Sequence, residues 1–246
     1  MTVINMHLFS KALNMYTTVN VLLPKMEKDM PVLYLLHGLA DDADSWLNKT
    51  NIARYACEAG VAVVMPDGGL SCYEDMAHGE KYREYIACEL PRMMQRAFPI
   101  SPAREKNFIA GCSMGGFGAL KIGLACPERY AAIGCFSAAH AEYRGRSPRV
   151  EHVLELVYGG DIEACDARVM AGLEAAMTGR VPLRLYHACG EEDMLRTNAE
   201  KMRALIEGRP HAGLDYRFEL LPGRHDWALW DACAGRFLRW ISGGAE

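Results

Sequence analysis

The sequence predicts an α/β fold: a mostly parallel central sheet flanked by helices, in one domain over 1–246, with a small cap insertion at about 138–180. Three observations predict it. Apolar runs of strand length recur, as at 32–36, 61–65 and 130–136, with few polar interruptions. A strand reads this way when both its faces are covered, as in a parallel sheet under helices. Helical segments fall between these runs. Finally, Gly111-Cys112-Ser113-Met114-Gly115-Gly116 lies between a short apolar run and a stretch of small and apolar residues, giving strand, sharp turn and helix. The 246 residues, half of them hydrophobic, are enough for one large core.

Residues 2–9 and 15–23 read as strands joined by a turn at 10–14, the second rich in β-branched residues and stopped by Pro24. A polar loop over 25–29 leads to the strand at 32–36, which closes in His37-Gly38-Leu39. The carboxylates of Asp41, Asp42 and Asp44 are too bunched for a calcium loop and lack its later Gly and Glu, so no metal is expected. Asp44 or Ser45 is expected to cap a turn. Trp46 is a candidate pocket wall, with core packing as the equal alternative. Residues 51–59 form a helix stopped by Gly60.

The strand at 61–65 runs into a Pro-Asp-Gly-Gly loop. Loops at that end of a parallel sheet face the ligand crevice, which makes Tyr73 a second candidate pocket wall. A long helix over 80–98 carries an apolar stripe and should kink at Pro91. Strands at 106–110 and 130–136 bracket the Ser113 turn and its helix. Residues 138–180 break the β–α rhythm with Arg144, Arg146 and Arg149, a helix from 149 to 158, a Gly159-Gly160 stop and an Ala-rich stretch. An insertion of that size suits a cap over an active site, its arginines a solvated face or a greeting for an acidic substrate. A strand at 182–189 ends in Gly190-Glu191-Glu192-Asp193, a helix covers 197–207, and 216–221 alternates like an edge strand. His225 follows in a loop before the final helix at 228–241.

These positions carry a chemistry. G-x-S-x-G between strand and helix is a nucleophile elbow, in which the serine sits on a strained turn above the sheet and glycines avoid collisions across it. An ester-cleaving site needs two backbone donors for its oxyanion. The Met114 N–H follows the nucleophile, and the Leu39 N–H lies in the loop after the 32–36 strand. His37 reads as a structural histidine bracing that loop. The order Ser113, acid, His225 is that of the α/β-hydrolase fold. Three acids compete at 191–193, and Asp193 is favoured because the turn would draw in the other two. His225 would relay the serine proton and Asp193 would hold its tautomer.

The partner this site chemistry expects is a small-molecule ester, and composition suggests no other class. The net charge is −4 with no long single-sign run, which points away from nucleic acid and from an anionic membrane surface. Nine cysteines without C-x-x-C spacing read as buried thiols in a reducing cytoplasm. The N-terminus does not read as a signal peptide, and no apolar run approaches the ~20 residues of a membrane span. A homo-oligomer stays open.

The chain resembles the esterase D-like group of α/β-hydrolases, which includes S-formylglutathione hydrolases, feruloyl and acetylxylan esterases and mycolyl transferases. The likeness is nearest to bacterial tributyrin esterases. It rests on residues 32–38, 45–47, 49–51, 63–66, 108–116, 189–193 and 225–227, and most specifically on Ser113-Met114-Gly115-Gly116 and the Trp227 that follows His225 by two. The resemblance implies hydrolysis of short-chain acyl esters through an acyl-enzyme, without metal or organic cofactor, and supports Asp193 over its neighbours. It also implies alternatives, a thioesterase of the S-formylglutathione type or a feruloyl or acetylxylan esterase. A non-catalytic binding protein on the same fold is the reading from another class.

Overall fold

The computed structural model describes residues 1–138 and 147–243, so Arg144 and Arg146 lie outside the described residues. Eight strands form one sheet: β1 (Thr2–Ser10), β2 (Met15–Leu23), β3 (Val32–Leu36), β4 (Ala62–Pro66), β5 (Asn107–Cys112), β6 (Ala132–Phe136), β7 (Leu183–Gly190) and β8 (Leu214–Leu221). Their spatial order is β1-β2-β4-β3-β5-β6-β7-β8. The β1–β2 and β2–β4 pairs are antiparallel, and every pair from β4 to β8 is parallel. The alternating segment β8 is indeed an edge strand.

Side-chain alternation along β3 shows why its apolar run is unbroken. Val32, Tyr34 and Leu36 belong to one core, Leu33 and Leu35 to the other. The first core is covered by α5 (Met114–Ala125), α7 (Ile162–Thr178) and the segment at 85–94. The second is covered by α2 (Ile52–Ala59) and α9 (Trp227–Ile241), which follow the short α1 (Ser45–Lys49) and precede the C-terminus respectively. Gly60 ends α2 in the left-handed conformation at φ 67°, as a C-terminal glycine does.

The expected 80–98 helix is interrupted before Pro91 rather than bent at it. Its parts are α3 (Tyr82–Glu84), a π-helical turn Tyr85–Glu89 and α4 (Leu90–Ala97). Leu90 N–H reaches back five residues to the Tyr85 carbonyl. Pro91 has no N–H to offer the Ala87 carbonyl four residues back, and the Arg129 guanidinium donates to that carbonyl instead.

The described part of the 138–180 segment holds two helices with different surroundings. After its N-cap Ser147, α6 (Pro148–Tyr158) stops at Gly159, φ 58°. It is joined to the loop after β4 by Ala77 N–H to Val157 O and His78 N–H to Leu156 O, both 2.9 Å. The Ala-rich α7 buries Cys165, Val169, Leu173 and Met177 in the main core. It is the crossover helix between β6 and β7. A further helix, α8 (Arg196–Glu207), links β7 to β8.

Candidate active site

Ser113 sits between β5 and α5 with φ 52° and ψ −116°, a conformation a side chain adopts only under strain. The elbow glycines are dictated by backbone approach. A Cβ on Gly115 would lie 2.4 Å from the Leu36 carbonyl oxygen and 2.5 Å from that of His37. One on Gly111 would lie 2.5 Å from the Gly115 oxygen. The Ser113 N–H donates to Phe136 O at 2.9 Å, which fixes the turn against the end of β6.

Three loop ends converge here. His225 Nε2 lies 2.9 Å from Ser113 Oγ, and its Nδ1 lies 3.0 and 3.1 Å from the two Asp193 oxygens. Glu191 and Glu192 are exposed, so the structure brings Asp193 and neither neighbour to His225. The ionised carboxylate has no proton to give, so Nδ1 carries the hydrogen and Nε2 presents a lone pair to the Ser113 hydroxyl. Asp193 also accepts the Leu195 N–H at 2.8 Å. Burial pushes the Asp193 carboxyl up, but hydrogen bonds from His225, Ser137 and the Leu195 N–H outweigh it and hold it below the usual carboxylate range. His225 stands edge-on to Trp230, with centroids 5.0 Å apart, and the Trp230 indole N–H donates to Ser137 Oγ at 3.2 Å. Ser137 and Trp230 were not legible as site residues, because neither lies in a motif.

Leu39 and Met114 flank Ser113 in the lining of one cavity. Among the described residues neither backbone N–H has an intramolecular acceptor. The Gly38 turn passes close by: a Cβ built there would be 3.7 Å from that of Ser113. His37 braces this turn. Its Nε2 accepts the Gly68 N–H at 2.8 Å, so the proton is on Nδ1, which donates to Gly38 O at 2.8 Å.

The cavity has a volume of about 40 Å³, and apolar side chains including Phe117, Val150, Val153 and Tyr158 line it. An ordered water needs ~10–15 Å³ by this measure, so there is room for a few heavy atoms. Trp46 and Tyr73, the two candidate pocket walls, are not among its lining residues. Both are fully buried. Trp46 donates its indole N–H to Leu36 O at 3.1 Å and packs on Trp227. Tyr73 donates its hydroxyl to His37 O at 2.9 Å. They support the loop from behind. The walls come from α5, α6, the loops at Leu39 and Cys72, and Ile162 at the start of α7, whose register against one another is a tertiary matter.

The acidic run near Asp41 is spent on local contacts: Asp41 on Lys49 at 2.6 Å, Asp42 on Ser45 Oγ at 2.9 Å and Asp44 on Asn20 at 2.6 Å. Among the described residues no group of three His, Cys, Asp or Glu side chains is arranged to hold a metal ion, and no helix is long and apolar enough to cross a membrane.

Comparison with known proteins gives consistent relatives. Residues 10–233 match the family model described as putative esterase. An acetyl esterase from Caldicellulosiruptor saccharolyticus is 30% identical, with 98% of each chain covered. Among solved structures, the fluorophosphonate-binding serine hydrolase F of Staphylococcus aureus superposes with a TM-score of 0.88 at 30% identity, covering 98% of both chains. An S-formylglutathione hydrolase of the same organism gives 0.84 at 28% identity, also covering 98% of both.

Proposed function

We propose, from the premise that the chain belongs to the putative esterase family and is a carboxylic-ester hydrolase of α/β-hydrolase fold, that it hydrolyses short-chain acyl esters through Ser113, His225 and Asp193. The observation that carries this reading is the unbroken relay from Asp193 through His225 to Ser113 Oγ, with hydrogen-bond distances of 3.0 and 2.9 Å. His225 Nε2 takes the Ser113 proton as Oγ attacks the acyl carbon. The Leu39 and Met114 N–H groups receive the oxyanion. The imidazolium then returns the proton to the departing alcohol, leaving an acyl-enzyme. Water, deprotonated by the same imidazole, releases the acid.

The small apolar cavity supports an acyl group of a few carbons, in keeping with a relative named acetyl esterase. The reaction needs a small-molecule ester and no metal or organic cofactor, nucleic acid or membrane. Nine free cysteines, most of them buried, fit a reducing cytoplasm. The test is hydrolysis of p-nitrophenyl esters from acetate to octanoate, with tributyrin and S-formylglutathione alongside and Ser113→Ala as control. Activity that peaks at short chains and disappears with Ser113 is expected. Equal activity in the variant would refute the reading.

A further inference from the structure

We infer that Lys121 is a positioning residue that sets the acyl-chain selectivity of the pocket by tying the cap helix α6 to the elbow helix α5. This rests on reading the cavity beside Ser113 as the acyl site. Lys121 is 7% exposed, two turns along α5 from Ser113. Its ammonium has three protons and three acceptors: the Cys72 carbonyl at 2.7 Å, Glu74 Oε2 at 3.1 Å and the Tyr158 hydroxyl at 3.2 Å. Cys72 and Tyr158 both line the cavity, as does Phe117, one turn before Lys121 on its own helix. Lys121 Nζ lies 5.0 Å from the Phe117 ring centroid and 5.4 Å from that of Tyr158. The lysine thus stands behind three walls of the pocket without entering it.

Two further features mark this as a spacing device. Cys72 and Tyr73 hold φ of 50° and 55°, left-handed values that strain non-glycine residues. The loop keeps that shape because Lys121 holds the Cys72 carbonyl and His37 O holds the Tyr73 hydroxyl. Glu74 does not depend on Lys121 for a counter-charge, since Arg83 lies 3.2 Å and Arg168 3.6 Å from its oxygens. Burying an ammonium carries a desolvation cost that an apolar side chain would avoid. What the ammonium adds is direction: three bonds that fix the loop wall, the α5 wall and the α6 wall at one mutual distance. In a cavity of about 40 Å³, small wall movements decide which acyl groups enter.

The test measures kcat/KM for p-nitrophenyl acetate, butyrate and hexanoate in wild type, Lys121→Met and Tyr158→Phe, with thermal melts of each. Methionine keeps the length of the side chain and removes all three bonds. The hexanoate-to-acetate ratio should rise by roughly tenfold or more in Lys121→Met, the worth of a methylene in an apolar pocket. It should rise less, in the same direction, in Tyr158→Phe. A folded Lys121→Met whose ratio stays within about twofold of wild type overturns the inference. If that variant does not fold, Tyr158→Phe, which deletes one oxygen, decides on the same ratio. Ser113→Ala run in parallel separates the two levels. Activity surviving in it refutes the acyl site itself, whereas activity lost there with unchanged ratios refutes only the role of Lys121.

Discussion

Replacing Asp193 by Asn changes one atom in the relay, and its consequence follows from the geometry. The Asp193 side chain is fully buried, with both oxygens near His225 Nδ1 and one on the Leu195 N–H at 2.8 Å. The amide oxygen of Asn would stay on the Leu195 N–H, directing NH₂ at Nδ1. Nδ1 must then accept, so the imidazole proton moves to Nε2, 2.9 Å from Ser113 Oγ. The serine hydroxyl meets an N–H where it needs a lone pair. In the Ser-His-Asp arrangement this change lowers kcat by about 10⁴, or roughly 5.5 kcal/mol of transition-state stabilisation. The assay is kcat for p-nitrophenyl acetate at neutral pH, with a melting curve to verify folding. Exposed Glu191 and Glu192, changed to Gln, serve as controls and should stay within about twofold of wild type. A folded Asp193→Asn enzyme with more than a tenth of wild-type kcat, or a Glu192→Gln enzyme as impaired as Asp193→Asn, would refute the relay.

Other consequences are testable by simpler means. Gly115→Ala drives a methyl to 2.4 Å from Leu36 O and should cost on the order of 1–3 kcal/mol or more in urea unfolding and most of the activity, because the elbow must open; wild-type stability would show that the turn is not tightly packed. Tyr73→Phe leaves the His37 carbonyl without its 2.9 Å partner and should cost about 1–3 kcal/mol, read by chemical denaturation. Asp193 has a folded-state pKa below the unfolded value of about 3.9, so its contribution to stability is complete above that value and is lost as pH falls through the folded one. The stability gap between wild type and Asp193→Asn should therefore close as pH falls below about 4, and a gap that widens in acid contradicts the sign.

The parts of the site legible in sequence were those enforced by backbone chemistry. Gly111 and Gly115 flag the elbow because a Cβ at either would strike a carbonyl, and His37-Gly38 flags a turn that approaches the serine. Asp193 and His225 could be read because strand ends in a parallel sheet gather at one edge, so chain order alone brings them to Ser113. Residues placed by side-chain packing were not legible. Trp46 and Tyr73 have the composition of pocket walls, yet their polar ends serve Leu36 O and His37 O. Val150 and Val153 line the cavity because of where the fold sets α6 against the loop after β4, which no local pattern encodes. Lys121 looks in sequence like a stray charge on an apolar helix, and only the fold supplies its three acceptors. At the π-helical turn over 85–89, likewise, the Ala87 carbonyl that Pro91 cannot serve finds its donor in Arg129, distant in the chain.

Covalent trapping of the nucleophile tests the central claim most directly. Wild-type protein treated with a fluorophosphonate should gain one phosphonyl group, and peptide mapping should place it on Ser113. The label should be absent from Ser113→Ala and slow to form in His225→Ala. A label found on another residue, or a Ser113→Ala protein that is labelled and hydrolyses esters as wild type does, would contradict the account.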